Sequence, residues 1–341
     1  MNNIAISIRA LYKIFGPTPQ KMMKHVNTGI TKEQLLEKFN HVLGLNNINL
    51  DIEKNKIQVL MGLSGSGKST LIRHINRLID PTHGSIKIAD ANILDYNKKQ
   101  LIELRRHKVS MVFQTFALMP HMTILENIAL GLSISGYPVK KRKDSAQHWL
   151  NAVGLSGYGN RYPKHLSGGM RQRVGLARAL ATETDVLLMD EPFSALDPLI
   201  RREVQTLLLD IQSKLNKTII FITHDLEEGV KLGDRIAIIN DGKIEQNSAP
   251  LNILLHPQSH HVANFVTDVN LTKVIKAQDI MDELQSSQDD NAMIVQATDP
   301  VDVFINRILM EQPKKIVVHN ELQQAIGCLR IEKLAELLNP L

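Results

Sequence analysis

The sequence predicts an α/β domain interrupted by a helical block, and three of its features carry that expectation. Short β-branched runs recur at Ile57–Met61, Val186–Met189, Thr218–Ile222 and Ile236–Ile239, each the length of a buried strand. The first of these runs through a glycine-rich turn, Gly62-Leu63-Ser64-Gly65-Ser66-Gly67-Lys68-Ser69-Thr70, into apolar residues at helical spacing that continue to Ile79. From about residue 120 to 182 the pattern is mostly helical, and Met170, Val174, Ala177 and Ala181 fall on one helix face.

Taken in order, residues 5–15 read as a strand ending in Tyr12-Lys13-Ile14-Phe15-Gly16. A polar insertion follows from Pro17 to about Asn40, within which Thr31-Lys32-Glu33-Gln34 has the form of a capped helix start. Strand character returns at Ile48–Ile52 and at Ile57–Met61. Beyond the glycine-rich turn and its helix, Pro81-Thr82-His83-Gly84 is a turn leading into a strand at Ser85–Ile88. Val109–Phe113 is a further strand that ends at Gln114, and Asn240-Asp241-Gly242-Lys243 reads as a hairpin turn after the last core strand. No internal repeat or low-complexity tract is visible.

Composition narrows the class. With 341 residues and 43% hydrophobic content the chain can bury a sizeable core, which argues against global disorder. No run approaches the roughly 18 to 20 apolar residues that cross a bilayer, and the N-terminus lacks the basic start and apolar stretch of a secretion signal. A cytosolic location is expected. Cys328 is the only cysteine, so no intrachain disulfide can form, and it is expected to be a small buried hydrophobe. Twelve acidic against seven basic residues from Phe265 to Leu341 leave the rest of this +5 chain with a charge of about +10. A basic body suits nucleic acid or an anionic membrane face, and composition does not choose between them. The densest basic run, Lys140-Lys141-Arg142-Lys143, reads as a solvated helix start, and Trp149 as core packing. His260-His261 lacks the further ligands that would make a metal site.

The chemistry begins at Gly62–Thr70. Its spacing is G-x-x-x-x-G-K-[ST], and a strand before it with a helix after it lets successive backbone N–H groups surround phosphate oxygens. Lys68 would reach the β- and γ-phosphates of a nucleoside triphosphate, and the Ser69 hydroxyl would ligate Mg²⁺. Asp190, at the end of a strand, is the second expected Mg²⁺ ligand, and Glu191 the group that deprotonates the attacking water. Leu166-Ser167-Gly168-Gly169-Met170-Arg171-Gln172 is a second anion-binding helix start, best explained if it closes on a phosphate held by another copy of the chain.

Together these segments resemble the ATP-binding subunits of ABC transporters. The resemblance rests on Gly62–Ser69, Gln114, Leu166–Gln172, Met189-Asp190-Glu191-Pro192, Ser194-Ala195-Leu196-Asp197 and His224-Asp225, in that order. It implies a P-loop NTPase (RecA-like) ATPase domain over 1–264 with a helical subdomain at about 116–182. Phe15 would stack on adenine, with Tyr12 as the fallback. Gly62, Leu63, Ser64, Gly65, Ser66, Gly67, Lys68, Ser69 and Thr70 would hold the phosphates. Ser167, Gly168, Gly169 and Gln172 would contact ATP across a homodimer interface, and Asp197 would couple the two sites. Glu191, His224 and Gln114 would be catalytic, with Ser69, Gln114 and Asp190 around Mg²⁺.

A narrower resemblance is to the quaternary-amine subfamily, the ATPases of bacterial glycine betaine and proline betaine importers. It is carried by Leu11–Gly16, the insertion to Asn40, Phe113–His121 and Phe193–Arg201. It implies integral membrane permease subunits, a separate substrate-binding protein, and a peripheral position on the cytoplasmic face of the inner membrane. Nucleic acid is not expected as a partner, although a soluble ABC ATPase acting on DNA or ribosomes would share the chemistry. Choline, carnitine or an amino acid are rival solutes. Residues 265–341 form a linker and one partial CBS-like motif from Ile294 to Leu337, with strands at Lys315–Val318 and Ala325–Leu329 and an intact partner motif missing.

Overall fold

Alternating apolar residues at the start of the chain form β1 (Ile4–Phe15), whose Ile6, Ile8, Leu11 and Ile14 are all fully buried. The odd step from Ile8 to Leu11 is absorbed by a shift in register at Ala10, which has φ +45°, so both residues still face inward. The computed structural model describes residues 3–267, 269–283, 292–313, 315–332 and 334.

The polar insertion is a pair of helices, α1 (Pro19–Asn27) and α2 (Lys32–Phe39). At the start of α2, Thr31 Oγ1 accepts from the Gln34 N–H and Gln34 Oε1 accepts from the Thr31 N–H, the reciprocal cap that the sequence predicts. Met22, Val26 and Leu35 of the insertion bury themselves against Ile14 and Leu43 in a small core of their own. Strand β2 (Val42–Glu53) begins well before the expected Ile48, because its whole length pairs antiparallel with β1.

Strand β3 (Ile57–Met61) is buried throughout and leads through the glycine-rich turn into α3 (Lys68–Ile75). The helix stops short of the expected Ile79. Arg77, at φ +52°, reverses the chain and is held there by Asp80 Oδ1 at 2.7 Å and the Ile93 carbonyl at 2.6 Å. Strands β4 (His83–Ile88) and β5 (Ala91–Asn92) complete a four-stranded sheet in the order β2-β1-β4-β5. Helix α4 (Lys98–His107), capped by Asn97, precedes β6 (Val109–Val112).

The helical block is α5 (Ile124–Ile134), α6 (Val139–Ala152) and α7 (Gly168–Ala181), packed on one another. Val174, Ala177 and Ala181 are buried as their spacing predicts; Trp149 is buried in α6, while Lys140, Lys141 and Lys143 lie exposed at its start. The chain then alternates through β7 (Val186–Asp190), α8 (Pro198–Leu215), β8 (Thr218–Thr223), α9 (Leu226–Leu232), β9 (Arg235–Asn240) and β10 (Lys243–Ser248). These make a six-stranded sheet ordered β10-β9-β3-β8-β7-β6, parallel except for the β10 hairpin strand. One core joins Ile8, Leu11 and Leu45 of the first sheet to Leu60, Ile220 and Ile222 of the second through Leu71, Ile72 and Ile75 of α3.

Residues 249–341 form a second compact unit, so the division falls at Ser248/Ala249 rather than after residue 264. It contains α10 (Pro250–Leu255), α11 (His260–Thr267), α12 (Leu271–Val274), α13 (Ala277–Ile280), β11 (Met293–Gln296), α14 (Val301–Glu311), β12 (Ile316–His319) and β13 (Ala325–Leu329). The strands pair in the order β11-β12-β13, parallel then antiparallel. Both expected C-terminal strands are therefore present, though part of the segment ending at Leu337 lies outside the described residues. Cys328 is half-buried rather than buried, because its strand lies next to Asp282 at the edge, and its thiol points to the Glu283 carbonyl at 3.6 Å. His261 sits edge-on to Phe265, and no cluster of three metal-ligating side chains occurs among the described residues.

Candidate active site

Four neighbouring parallel strands deliver their C-terminal ends to one rim of the large sheet. Across it run Gly62 after β3, His224 after β8, Asp190 and Glu191 at the end of β7, and Gln114 after β6. Residues separated by up to 162 positions in sequence are thus laid side by side by topology alone (62 to 224), at the place where open α/β sheets bind ligands.

The glycine-rich loop turns at Gly62, Gly65 and Gly67, all at positive φ, where a side chain is strained. A Cβ on Gly62, at φ +152°, would lie 2.1 Å from the Ile239 carbonyl oxygen. Leu63, Ser64 and Gly65 are exposed at the tip, and Ser69 and Thr70 are half-buried in the first turn of α3, where unpaired N–H groups face outward from the helix start. Lys68 Nζ donates to the Gly62 and Leu63 carbonyls at 2.8 and 2.9 Å, which holds the ammonium at the loop and leaves one of its three hydrogens for a phosphate oxygen. Burial lowers the pKa of Lys68, while Glu191 and Asp190 pull it the other way. The Ser66 hydroxyl is buried without a partner inside the turn. A buried donor left open in this way suits an anion.

Ser69 Oγ donates to Asp190 Oδ1 at 2.8 Å, and Arg73, one turn further along α3, approaches Asp190 Oδ2 at 3.6 Å. The Ser69 hydroxyl and the Asp190 carboxylate are paired oxygen donors that fit a hard divalent cation such as Mg²⁺, to which the Gln114 amide oxygen would add a third. Gln114 Nε2 lies 3.4 Å from Glu191 Oε2, and His224 Nδ1 lies 3.7 Å from the same oxygen. Glu191 itself adopts φ +44°, a strained backbone for a non-glycine residue that re-aims its carboxylate as the strand ends. Behind it is a cavity of about 20 Å³, room for one water, bounded by Glu191, Arg201, Thr223, His224, Asp225 and Glu228. Burial raises the pKa of Glu228, against the opposing hydrogen bonds from Thr223 and Gln205.

Lys68, Ser69, Asp190, Glu191, Gln114 and His224 are therefore gathered into one cleft, as the sequence predicts. Ser167, Gly168 and Gly169 meet a different segment. A Cβ on Gly168 would lie 4.0 Å from the Ala195 carbonyl oxygen, and one on Gly169 would lie 2.2 Å from Ile200 Cγ2. The glycine-rich start of α7 thus adjoins the segment bearing Asp197, which caps α8 through Oδ1 to the Ile200 N–H at 3.1 Å. Ser167 caps α7. Gln172 is corrected: it has no exposure and neither amide atom has a partner, because it lies on the buried side of α7, so it cannot present itself to a nucleotide. Phe15 is 39% exposed at the end of β1, whereas Tyr12 is partly buried, packed against the small core of the insertion with its ring 6.2 Å from that of His83. Arg73 and Arg201 were not foreseen. Arg73 was legible, since it stands four residues after Ser69 and so on the same helix face.

Residues 45–194 match the ABC transporter family. The glycine betaine/proline betaine transport ATP-binding protein of Escherichia coli (strain K12) is 50% identical over 277 residues, covering 81% of this chain and 69% of that protein. A trimethylamine N-oxide transport ATP-binding protein of Pelagibacter ubique (strain HTCC1062) is 43% identical over 98% of this chain and 97% of its own length. Among solved structures, a dimeric ATP-binding cassette in a post-hydrolysis state bound to ADP and Pi is 31% identical with a TM-score of 0.61, covering 72% of this chain and 98% of that one.

Proposed function

Since the chain belongs to the ABC transporter family of ATP-binding proteins, we propose that it is the ATP-hydrolysing subunit of a bacterial importer for a small methylated amine, with glycine betaine or proline betaine as cargo. The observation that carries the cargo class is the 50% identity to the glycine betaine/proline betaine relative. Trimethylamine N-oxide is a second reading, favoured by the relative that aligns over 98% of this chain. Cargo recognition belongs to other subunits. Cages for quaternary ammonium are built of aromatic faces, and aromatic residues make up only 4% of this chain.

The loop from Gly62 to Thr70 cradles the triphosphate, and Lys68 holds the β- and γ-phosphates. Glu191 takes a proton from the attacking water as its oxygen bonds to the γ-phosphorus and the bond to the β-phosphate oxygen breaks. Gln114 and His224 converge on the same Glu191 oxygen, which supports a role for them in holding that water and the γ-phosphate. Mg²⁺ bound to Ser69, Asp190 and Gln114 would neutralise phosphate charge. Ser167, Gly168 and Gly169, standing apart from the cleft within one chain, complete it from a second copy in a head-to-tail homodimer. ATP favours the closed dimer by the difference in its affinity for the closed and open forms. Permease subunits dock near Phe116–Ile128, a separate binding protein delivers cargo, and the ATPase lies on the cytoplasmic membrane face; no described helix is long and apolar enough to cross a membrane. The β11-β12-β13 unit is read as the single CBS-like motif.

Glu191→Gln is expected to bind ATP and hold the closed dimer while hydrolysis falls about a hundredfold or more. Normal turnover would refute the assignment of the base. The cargo is tested by uptake of labelled glycine betaine, proline betaine and trimethylamine N-oxide by the assembled importer, with Glu191→Gln as the dead control. Uptake of none of the three would overturn the proposed cargo class.

A further inference from the structure

Three glycines stack at the back of the phosphate loop. Gly67 ends that loop, Gly242 forms the β9–β10 turn, and Gly44 lies in β2, two residues after the strand partner of Phe15. A Cβ on Gly67 would fall 2.7 Å from the Gly44 carbonyl oxygen, and one on Gly242 would fall 2.9 Å from the same oxygen. Gly242 is further tied in by hydrogen bonds. Its N–H donates to the Ser66 carbonyl at 2.9 Å, and its carbonyl accepts from the Asn46 N–H at 2.8 Å. On its other side Gly44 meets the Phe15 ring, where an added Cβ would come within 2.7 Å of Cε2. Lys13 Nζ, anchored by the Asp80 carbonyl at 2.8 Å, stands 5.0 Å from the centre of that ring.

We propose that Gly44 is the positioning residue that sets the distance between the ring that receives the base and the loop that receives the phosphates. Its carbonyl is the surface on which the phosphate loop and the Gly242 turn rest, and its missing side chain is the space into which the Phe15 ring settles. One residue therefore gauges both halves of a nucleotide, and a methyl group there displaces the ring while leaving the loop in place. The ring is the end of a side chain at a half-exposed site, so the displacement does not require the backbone to move. This inference rests on Phe15 being the base-stacking residue.

The test measures binding of ATP and of inorganic tripolyphosphate to the full chain, since tripolyphosphate carries the phosphates without the base. Gly44→Ala is expected to weaken ATP binding about tenfold and to leave tripolyphosphate binding unchanged. Phe15→Ala, which removes the ring, is expected to do the same. In the double variant the added methyl no longer meets a ring, so the two effects should not add. If Gly44→Ala does not fold, the methyl displaces more than the ring and the proposal is overturned. Equal loss of ATP and tripolyphosphate binding in Gly44→Ala, or losses that add in the double variant, would overturn the proposal. If Phe15→Ala weakens ATP binding and Gly44→Ala does not, the gauge is wrong while the stacking stands. If Phe15→Ala has no effect, the stacking assignment fails and the gauge with it.

Discussion

At the scale of single residues, Glu228 is a carboxylate kept where its charge is least welcome. Its nearest polar company is Gln205, which donates at 2.8 Å and is in turn held by Lys231 Nζ at 2.8 Å, with Thr223, Asp225 and Arg201 also facing it. Burial raises its folded pKa above the unfolded value, so the folded state binds the proton more readily. Stability then falls as pH rises from the unfolded pKa through the folded one, and the cost persists above it. Glu228→Gln keeps the acceptor for Gln205 and removes the charge. It should melt a few degrees higher than the parent at neutral pH, with the difference closing toward pH 4; a gap independent of pH would contradict this. The residues whose place could be read from sequence were those fixed by the local run they stand in, such as Lys68, Ser69 and Asp190. Gln172 belongs to such a run too, but it lies off the face marked by Met170, Val174, Ala177 and Ala181, and α7 buries more than that one face, so its burial was not legible there. Arg201, which approaches Asp225 at 3.6 Å and donates to the Leu196 carbonyl at 3.2 Å, could be found only once α8 and α9 were packed together.

At the scale of elements, α7 does more than present a glycine-rich start. Arg178, near its end, donates to the Ala117 and Phe116 carbonyls at 2.6 and 2.8 Å. These two residues have φ +46° and +59°, a left-handed pair without glycine that costs on the order of 1–2 kcal/mol per residue. The guanidinium thus holds the strained segment that follows Gln114. Arg178→Ala should destabilise the fold by about 2–3 kcal/mol, and hydrolysis should fall more than ATP affinity, read as kcat against a binding titration. Equal losses in both would mean general damage instead. Strong periodicity made the core strands and the helical block visible in sequence. Helix α4 was missed because it buries only Leu104 among exposed charged residues, although its reciprocal Asn97–Gln100 cap was there to be read. Strand β10 was missed because its pattern is polar, its place being fixed by the hairpin and by pairing with β9.

At the scale of the whole molecule, the contact pattern parts the chain at Ser248/Ala249. A chain ending at residue 248 should unfold in one cooperative transition and bind ATP as the full chain does, measured by calorimetry and titration; a failure to fold would show that the first unit depends on the second. The legible part of this organisation was the shift in charge toward the C-terminus, which located the second unit only approximately because α10 and α11 carry no such signal. The parallel run of β3, β8, β7 and β6 has one more result. Every group proposed to react sits on the rim where these strands end, so the turn at Lys54 and Asn55, where β3 begins, lies on the far side, about 17 Å away at the usual rise of a five-residue strand. A fluorophore or an affinity handle attached at exposed Lys54 would therefore watch the engine from behind, leaving turnover undisturbed.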